Sequence, residues 1–110
     1  MKLIFAIMVG MLGLATTIAR ADPPVDGATI FETRCARCHG DTGKADTSEA
    51  RALKARPLVN DSELAQMTPA EIVSAVKSDL KHQGIVDLND LTDAELQAAA
   101  AFVSELAKGR

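Results

Sequence analysis

The chain has 110 residues, room for one domain around one small core. Its 12 Lys and Arg stand against 15 Asp and Glu, a formal charge of −3, which argues against phosphate backbones and anionic lipid headgroups as partners. Three Phe with no Trp and no Tyr are a thin apolar supply, at a size where small domains often lean on a bound group to complete the core.

Lys2 gives a positive start, Leu3 to Leu14 is apolar apart from Gly10 and Gly13, and Ala19-Arg20-Ala21 puts small residues where a signal peptidase reads them. Residues 1–21 are therefore expected to be a cleaved signal peptide and 22–110 the mature domain, exported to the periplasm. The apolar run falls short of the ~20 residues that span a bilayer, so an uncleaved anchor ranks second and the mature protein is expected off the membrane. Cleavage removes Lys2 and Arg20 but no acid, leaving ten bases against 15 acids, a charge of −5.

The first predicted helix runs from Val25 to His39. Asp26 is its N-cap after Pro23-Pro24, Ala28, Phe31 and Cys35 lie at helical spacing, and Gly40 ends it. Residues 40–60 are polar and irregular, with a short helix expected from Ser48 to about Ala55 and a stop at Pro57. Thr68-Pro69-Ala70-Glu71 is a capping box, and Ile72, Val73, Val76 and Leu80 then form one stripe, predicting a helix from Pro69 to about Lys81. Thr92-Asp93-Ala94-Glu95 repeats the box. Leu96, Ala99, Ala100, Phe102, Val103 and Leu106 follow on one face, and Gly109 is the stop. No period-2 alternation bounded by hairpin turns appears, so the fold class is all-α.

The only two cysteines stand in Cys35-Ala36-Arg37-Cys38-His39, the pattern of covalent c-type haem attachment. On a helical turn two cysteines three residues apart point to one side, where each can add to a vinyl group, and the adjacent histidine brings a ring nitrogen under the iron. A thioredoxin-like pair would need a βαβ context, tetrahedral zinc a fourth ligand, and a structural disulfide a longer loop. One haem c, bound through Cys35 and Cys38 with His39 as proximal iron ligand, is the preferred reading.

With Gly27-x-x-x-Phe31-x-x-x-Cys35-x-x-Cys38-His39 at the start and Leu91 to Leu106 at the end, the mature chain resembles a class I monohaem cytochrome c. The resemblance implies three main helices plus a short one wrapped around the haem, with Gly27 and Phe31 crossing Phe102. It implies that the carbonyl of Pro57, in Pro57-Leu58, accepts a hydrogen bond from His39. It also implies an electron carrier rather than an enzyme, serving redox partner proteins; the acidic surface suggests that these dock through a basic face.

The family usually takes its second iron ligand, a methionine, from the loop before the last helix. Here that loop, from His82 to Leu91, holds none. His82 is the preferred distal ligand, because neutral imidazole binds iron well and the residue lies where the chain should fold over the haem. Met67 is the second candidate, although its place before Thr68, with Ile72 at N4, also suits a hydrophobic staple. A vacant or weakly held sixth position, with water, Lys81 or Asn89 near the iron, is the third, and would favour a five-coordinate haem protein that binds a small gas or peroxide. A haem subunit of a larger periplasmic oxidoreductase is the other functional alternative.

Overall fold

In the computed structural model the described residues are 25–110, so the expected signal peptide lies outside them. The first helix starts where Asp26 places its carboxylate on the Ala28 amide, 3.1 Å away, and it proceeds in three consecutive segments. These are α1 (Gly27–Ile30), a π-helical turn (Phe31–Cys35) and α2 (Ala36–His39). Gly40, at φ 83°, ends them in a conformation that suits glycine.

The π turn changes which residues share a face. The Ala36 amide bonds back to the Phe31 carbonyl, so Phe31 and Ala36 are the pair buried together, at 1% and 5% exposure. Cys35 is turned aside and only half-buried. Of the stripe expected from Ala28, Phe31 and Cys35, Phe31 is buried and Cys35 packs half-buried against the core, whereas Ala28, ahead of the π turn, is exposed; Ile30 and Ala36 are the other inward residues. An inserted π residue shifts the phase of everything after it, and a simple helical spacing cannot foresee it.

After Gly40 the chain doubles back. The Ala45 amide reaches the His39 carbonyl at 2.8 Å, and the Leu58 amide reaches the Gly43 carbonyl at 2.8 Å. Between these lies α3 (Ser48–Leu53), capped by Thr47 and ended by Lys54 in the left-handed region; its Ala50 is buried. A further turn of helix, α4 (Ser62–Ala65), was not expected. It forms because Asp61 caps it twice, accepting from the Glu63 and Leu64 amides at 3.0 Å each. The other Asp61 oxygen takes the Arg56 guanidinium at 2.8 Å.

Both capping boxes form as expected, at Thr68 with Glu71 and at Thr92 with Glu95. They open α5 (Pro69–Ser78) and the final helix. The expected continuation of α5 to Lys81 does not occur: Asp79 turns extended, at φ −81° and ψ 125°, and the chain restarts as α6 (Leu80–Gln83). Leu80, placed on the apolar stripe by its spacing, is consequently 80% exposed. Then come α7 (Val86–Asn89) and α8 (Asp93–Ala107). The last helix closes at Gly109, whose amide bonds to the Leu106 carbonyl while the Arg110 amide bonds to that of Glu105.

Among the described residues helices are the only regular structure, as the all-α expectation required. The core joins the first helix, α4, α5 and α8 through Phe31, Ala36, Leu64, Ile72, Val73, Ala100, Val103 and Ala107, with Leu58 from the loop. Phe31 and Phe102 meet with ring centroids 5.3 Å apart and planes tilted by 52°, within the separation at which aromatic pairs attract. Gly27 lies so close to α8 that a β-carbon there would overlap the Ala98 carbonyl and stand 3.2 Å from the Ala99 amide nitrogen.

Gly27→Ala is therefore expected to cost about 1–3 kcal/mol, as overpacking does, whereas Gly84→Ala, whose new β-carbon would meet nothing closer than 3.7 Å, should be neutral or stabilising by up to about 1 kcal/mol. Denaturant unfolding of the two variants beside wild type checks the contrast. A second expectation concerns acid. The Leu64 amide, with help from Arg56, holds the Asp61 carboxyl below the usual carboxylate range. Its contribution to stability is present above the unfolded value of about 4 and is lost as pH falls through the lower folded value. Thermal melts from about pH 6 to pH 2 should show wild type losing its advantage over Asp61→Ala at the acid end.

Candidate functional site

The Cys35-Ala36-Arg37-Cys38-His39 run occupies the end of the π turn and all of α2. Its burial alternates in a useful way: Ala36 points into the core, Arg37 is exposed, and Cys35, Cys38 and His39 are all half-buried. The two cysteines are not bonded to each other. Burial pushes the Cys35 thiol up to about 11, with Cys38 adding to the rise, so it is held as a neutral thiol at ordinary pH.

His39 is fixed by the loop that follows it. Its Nδ1 lies 2.8 Å from the Arg56 carbonyl oxygen, where the ring can only donate, so the Nδ1–H tautomer is set and Nε2 is left with its lone pair. This corrects the expectation that the Pro57 carbonyl would be the acceptor. Proline holds the residue before it in an extended conformation, and it is this preceding carbonyl, that of Arg56, that meets the ring. Arg56 is itself anchored through its side chain to Asp61. Burial lowers the His39 pKa; the Arg56 hydrogen bond opposes this and the nearby His82 adds to it. The neutral ring, the form that can bind a metal, is favoured.

His82 comes from α6, on the far side of the chain's path, and lands opposite His39. The two rings lie 6.2 Å apart between centroids and within 7° of parallel. Nδ1 of His82 is 2.5 Å from an Asp79 carboxylate oxygen, which again leaves Nε2 as the free nitrogen. The segment that carries His82 is tied down at its flanks: Lys77 to Asp93 at 2.8 Å, Arg34 to Asp90 at 2.9 Å, and the Gln83 side chain to the Lys77 carbonyl at 2.9 Å. A cleft of about 250 Å³ beside His82 is lined by Val76, Lys77, Leu88, Leu91 and Leu96, among others.

Met67, the other distal candidate, is half-buried against the core cluster that includes Phe31 and Ile72. Lys81 and Asn89, the remaining candidates, are exposed. Two residues at the site went unremarked in the sequence, although each had a local signal. Asp79 stands three before His82, an acid-histidine spacing that helices bring together, and Arg56 stands immediately before Pro57.

This donor set fits a covalently held haem. Two thiols three residues apart stand beside a histidine whose Nδ1 is tied away, and a second imidazole lies parallel to the first with its centroid 6.2 Å away. A metal–imidazole bond is ~2 Å long, so an ion bonded to one nitrogen of each ring would hold the centroids about 6 Å apart. The set does not suit zinc, since among the described residues no three Cys, His, Asp or Glu side chains gather to hold an ion.

No curated protein and no solved structure gave a match to the chain. Residues 22–103 match the family model described as cytochrome c oxidase, cbb3-type, subunit III. That match takes in most of the chain, the two-cysteine turn included, and with it the chain belongs to this family of c-type cytochromes, as an electron carrier with covalently bound haem c.

Proposed function

We propose that this chain is an exported, periplasmic cytochrome that passes single electrons between redox partner proteins, with Cys35 and Cys38 as the thioether residues and His39 and His82 as the two axial ligands. The observation that carries this reading is the parallel pair of imidazoles 6.2 Å apart, each with its Nδ1 engaged elsewhere.

Bound haem c supplies a reversible one-electron iron couple and a conjugated edge through which the electron leaves or enters. The chain's own residues prepare for this. His39 and His82, each with its Nδ1 engaged, would hold the iron through Nε2, which would favour outer-sphere transfer over binding of a gas or peroxide. Covalent anchoring at Cys35 and Cys38 keeps the cofactor from escaping outside the cytoplasm. Phe31, Ile72, Val73 and Val103 build the dry core against which the site is set. Two histidine ligands give a lower potential than a histidine–methionine pair, since methionine raises it. The excess of acids over bases in residues 22–110 suits a partner that docks through a basic face.

A second reading is favoured by the comparison itself. The matching family is named for a subunit of a cytochrome c oxidase, which favours a haem subunit docked on a larger oxidoreductase, transferring electrons by the same route. Stable co-purification of such an assembly separates this from a free shuttle.

Visible and near-infrared spectra of the purified protein test the ligands. Wild type should be low-spin in both oxidation states without the far-red sulfur-to-iron band. His82→Ala should turn high-spin and bind carbon monoxide, and Met67→Leu should leave the spectrum unchanged. A sulfur band that disappears in Met67→Leu would replace His82 by Met67. A high-spin wild type that binds carbon monoxide at once would replace electron transfer by gas or peroxide chemistry.

A further inference from the structure

The two candidate ligands have different partners behind them. His39 donates to a backbone carbonyl at 2.8 Å, whereas His82 lies 2.5 Å from a carboxylate. Resting on the reading of His82 as distal ligand, we propose that Asp79 is its positioning residue: the carboxylate fixes the Nδ1–H tautomer and the ring plane of His82 and thereby lowers the reduction potential of the iron.

The local structure shows that Asp79 has been diverted to this task. It occupies the N-cap of α6 in the extended conformation that a capping residue adopts, and aspartate there ordinarily accepts from the amides of the first turn. Yet α6 has no side-chain cap bond; the carboxylate goes to the ring instead. The Lys81 and His82 amides bear on the carboxylate more weakly than the His82 ring does. The break between α5 and α6 puts the pair at the start of a new turn, with Asp79 as its N-cap and His82 three residues on. The Gln83 amide on the Asp79 carbonyl, at 3.0 Å, and the Gln83 side chain on the Lys77 carbonyl hold that turn closed.

The chemical consequence follows from the strength of the acceptor. A charged carboxylate draws the Nδ1 proton more strongly than a carbonyl does, which raises the basicity of the ligating nitrogen. A more basic ligand favours the more highly charged ferric iron over the ferrous, so the potential falls. Fixing the ring also fixes its alignment with His39, now within 7°, and parallel ligand planes impose a rhombic field on low-spin ferric iron.

The test uses the haem-loaded protein as wild type, Asp79→Asn, Asp79→Ser and Asp79→Glu, with spectroelectrochemical titration and electron paramagnetic resonance of the ferric form. Asp79→Asn is expected to stay low-spin with a higher midpoint potential and shifted g-values, and Asp79→Glu to return both towards wild type. Asp79→Ser keeps a residue favoured at an N-cap without its charge, and carries the test if the Asn variant fails to fold. A rise in potential with unchanged g-values would reduce Asp79 to a nearby charge and overturn its positioning role. Wild-type potential and g-values in Asp79→Asn would overturn the inference while leaving His82 as ligand. A wild type with a sulfur band or a high-spin spectrum would overturn the ligand reading, and this inference with it.

Discussion

The near contact of two helix backbones, Gly27 of α1 against Ala98 and Ala99 of α8, is the constraint from which the rest of the structure follows. Only a residue without a side chain permits it, and Ala98, Ala99 and Ala100 keep the facing side of α8 low. Once the axes are that close, Phe31 and Phe102 are brought to 5.3 Å and close one side of the crossing. The crossing also fixes where α2 can lie, and so where Cys35, Cys38 and His39 are carried. The attachment site therefore hangs from the most closely packed point in the fold rather than from a loop.

Between the crossing and the attachment turn the chain changes phase. A plain α-helix would place Cys35 on the same face as Phe31, in the helix interface, where its sulfur would be shut away. The π turn gives that inward place to Ala36 and sets Cys35 beside it, half-buried. A π turn next to a functional group is a recurrent device, and here its effect is plain: the core keeps a small apolar residue and the site keeps its thiol.

The parts of this arrangement that were legible in the sequence are those that depend on local chemistry. Asp26, Thr68 and Thr92 cap helices because their side chains reach amides two or three residues ahead, whatever the rest of the chain does. The two-cysteine motif is legible for the same reason, since all its geometry lies within one turn. What could not be read was decided over longer range. The spacing of Leu80 fits the α5 stripe, yet the helix breaks at Asp79, where the carboxylate finds the His82 ring and Gln83 caps the Lys77 carbonyl. The shift of acceptor from Pro57 to Arg56 depends likewise on how the loop from residue 40 to 60 folds back, which no single residue in it dictates.

The two sides of the site are consequently built to different standards. His39 belongs to the helix that crosses α8 and is held by a backbone carbonyl in a loop stitched by backbone bonds, from Ala45 to His39 and from Leu58 to Gly43. His82 belongs to a four-residue helix with no buried side chain, and the ion pairs at its flanks, Arg34–Asp90 and Lys77–Asp93, lie on the surface, where such pairs contribute little. Segments with few buried apolar contacts open at lower free energy than the core. Without a ligand to bind, the distal segment is the weaker half of the fold, and a metal bond at His82 would close it, since a group that binds only the closed form stabilises that form. Under the proposed ligation, the proximal half would hold His39 through the fold itself, and the distal half would draw its order from the iron bound there.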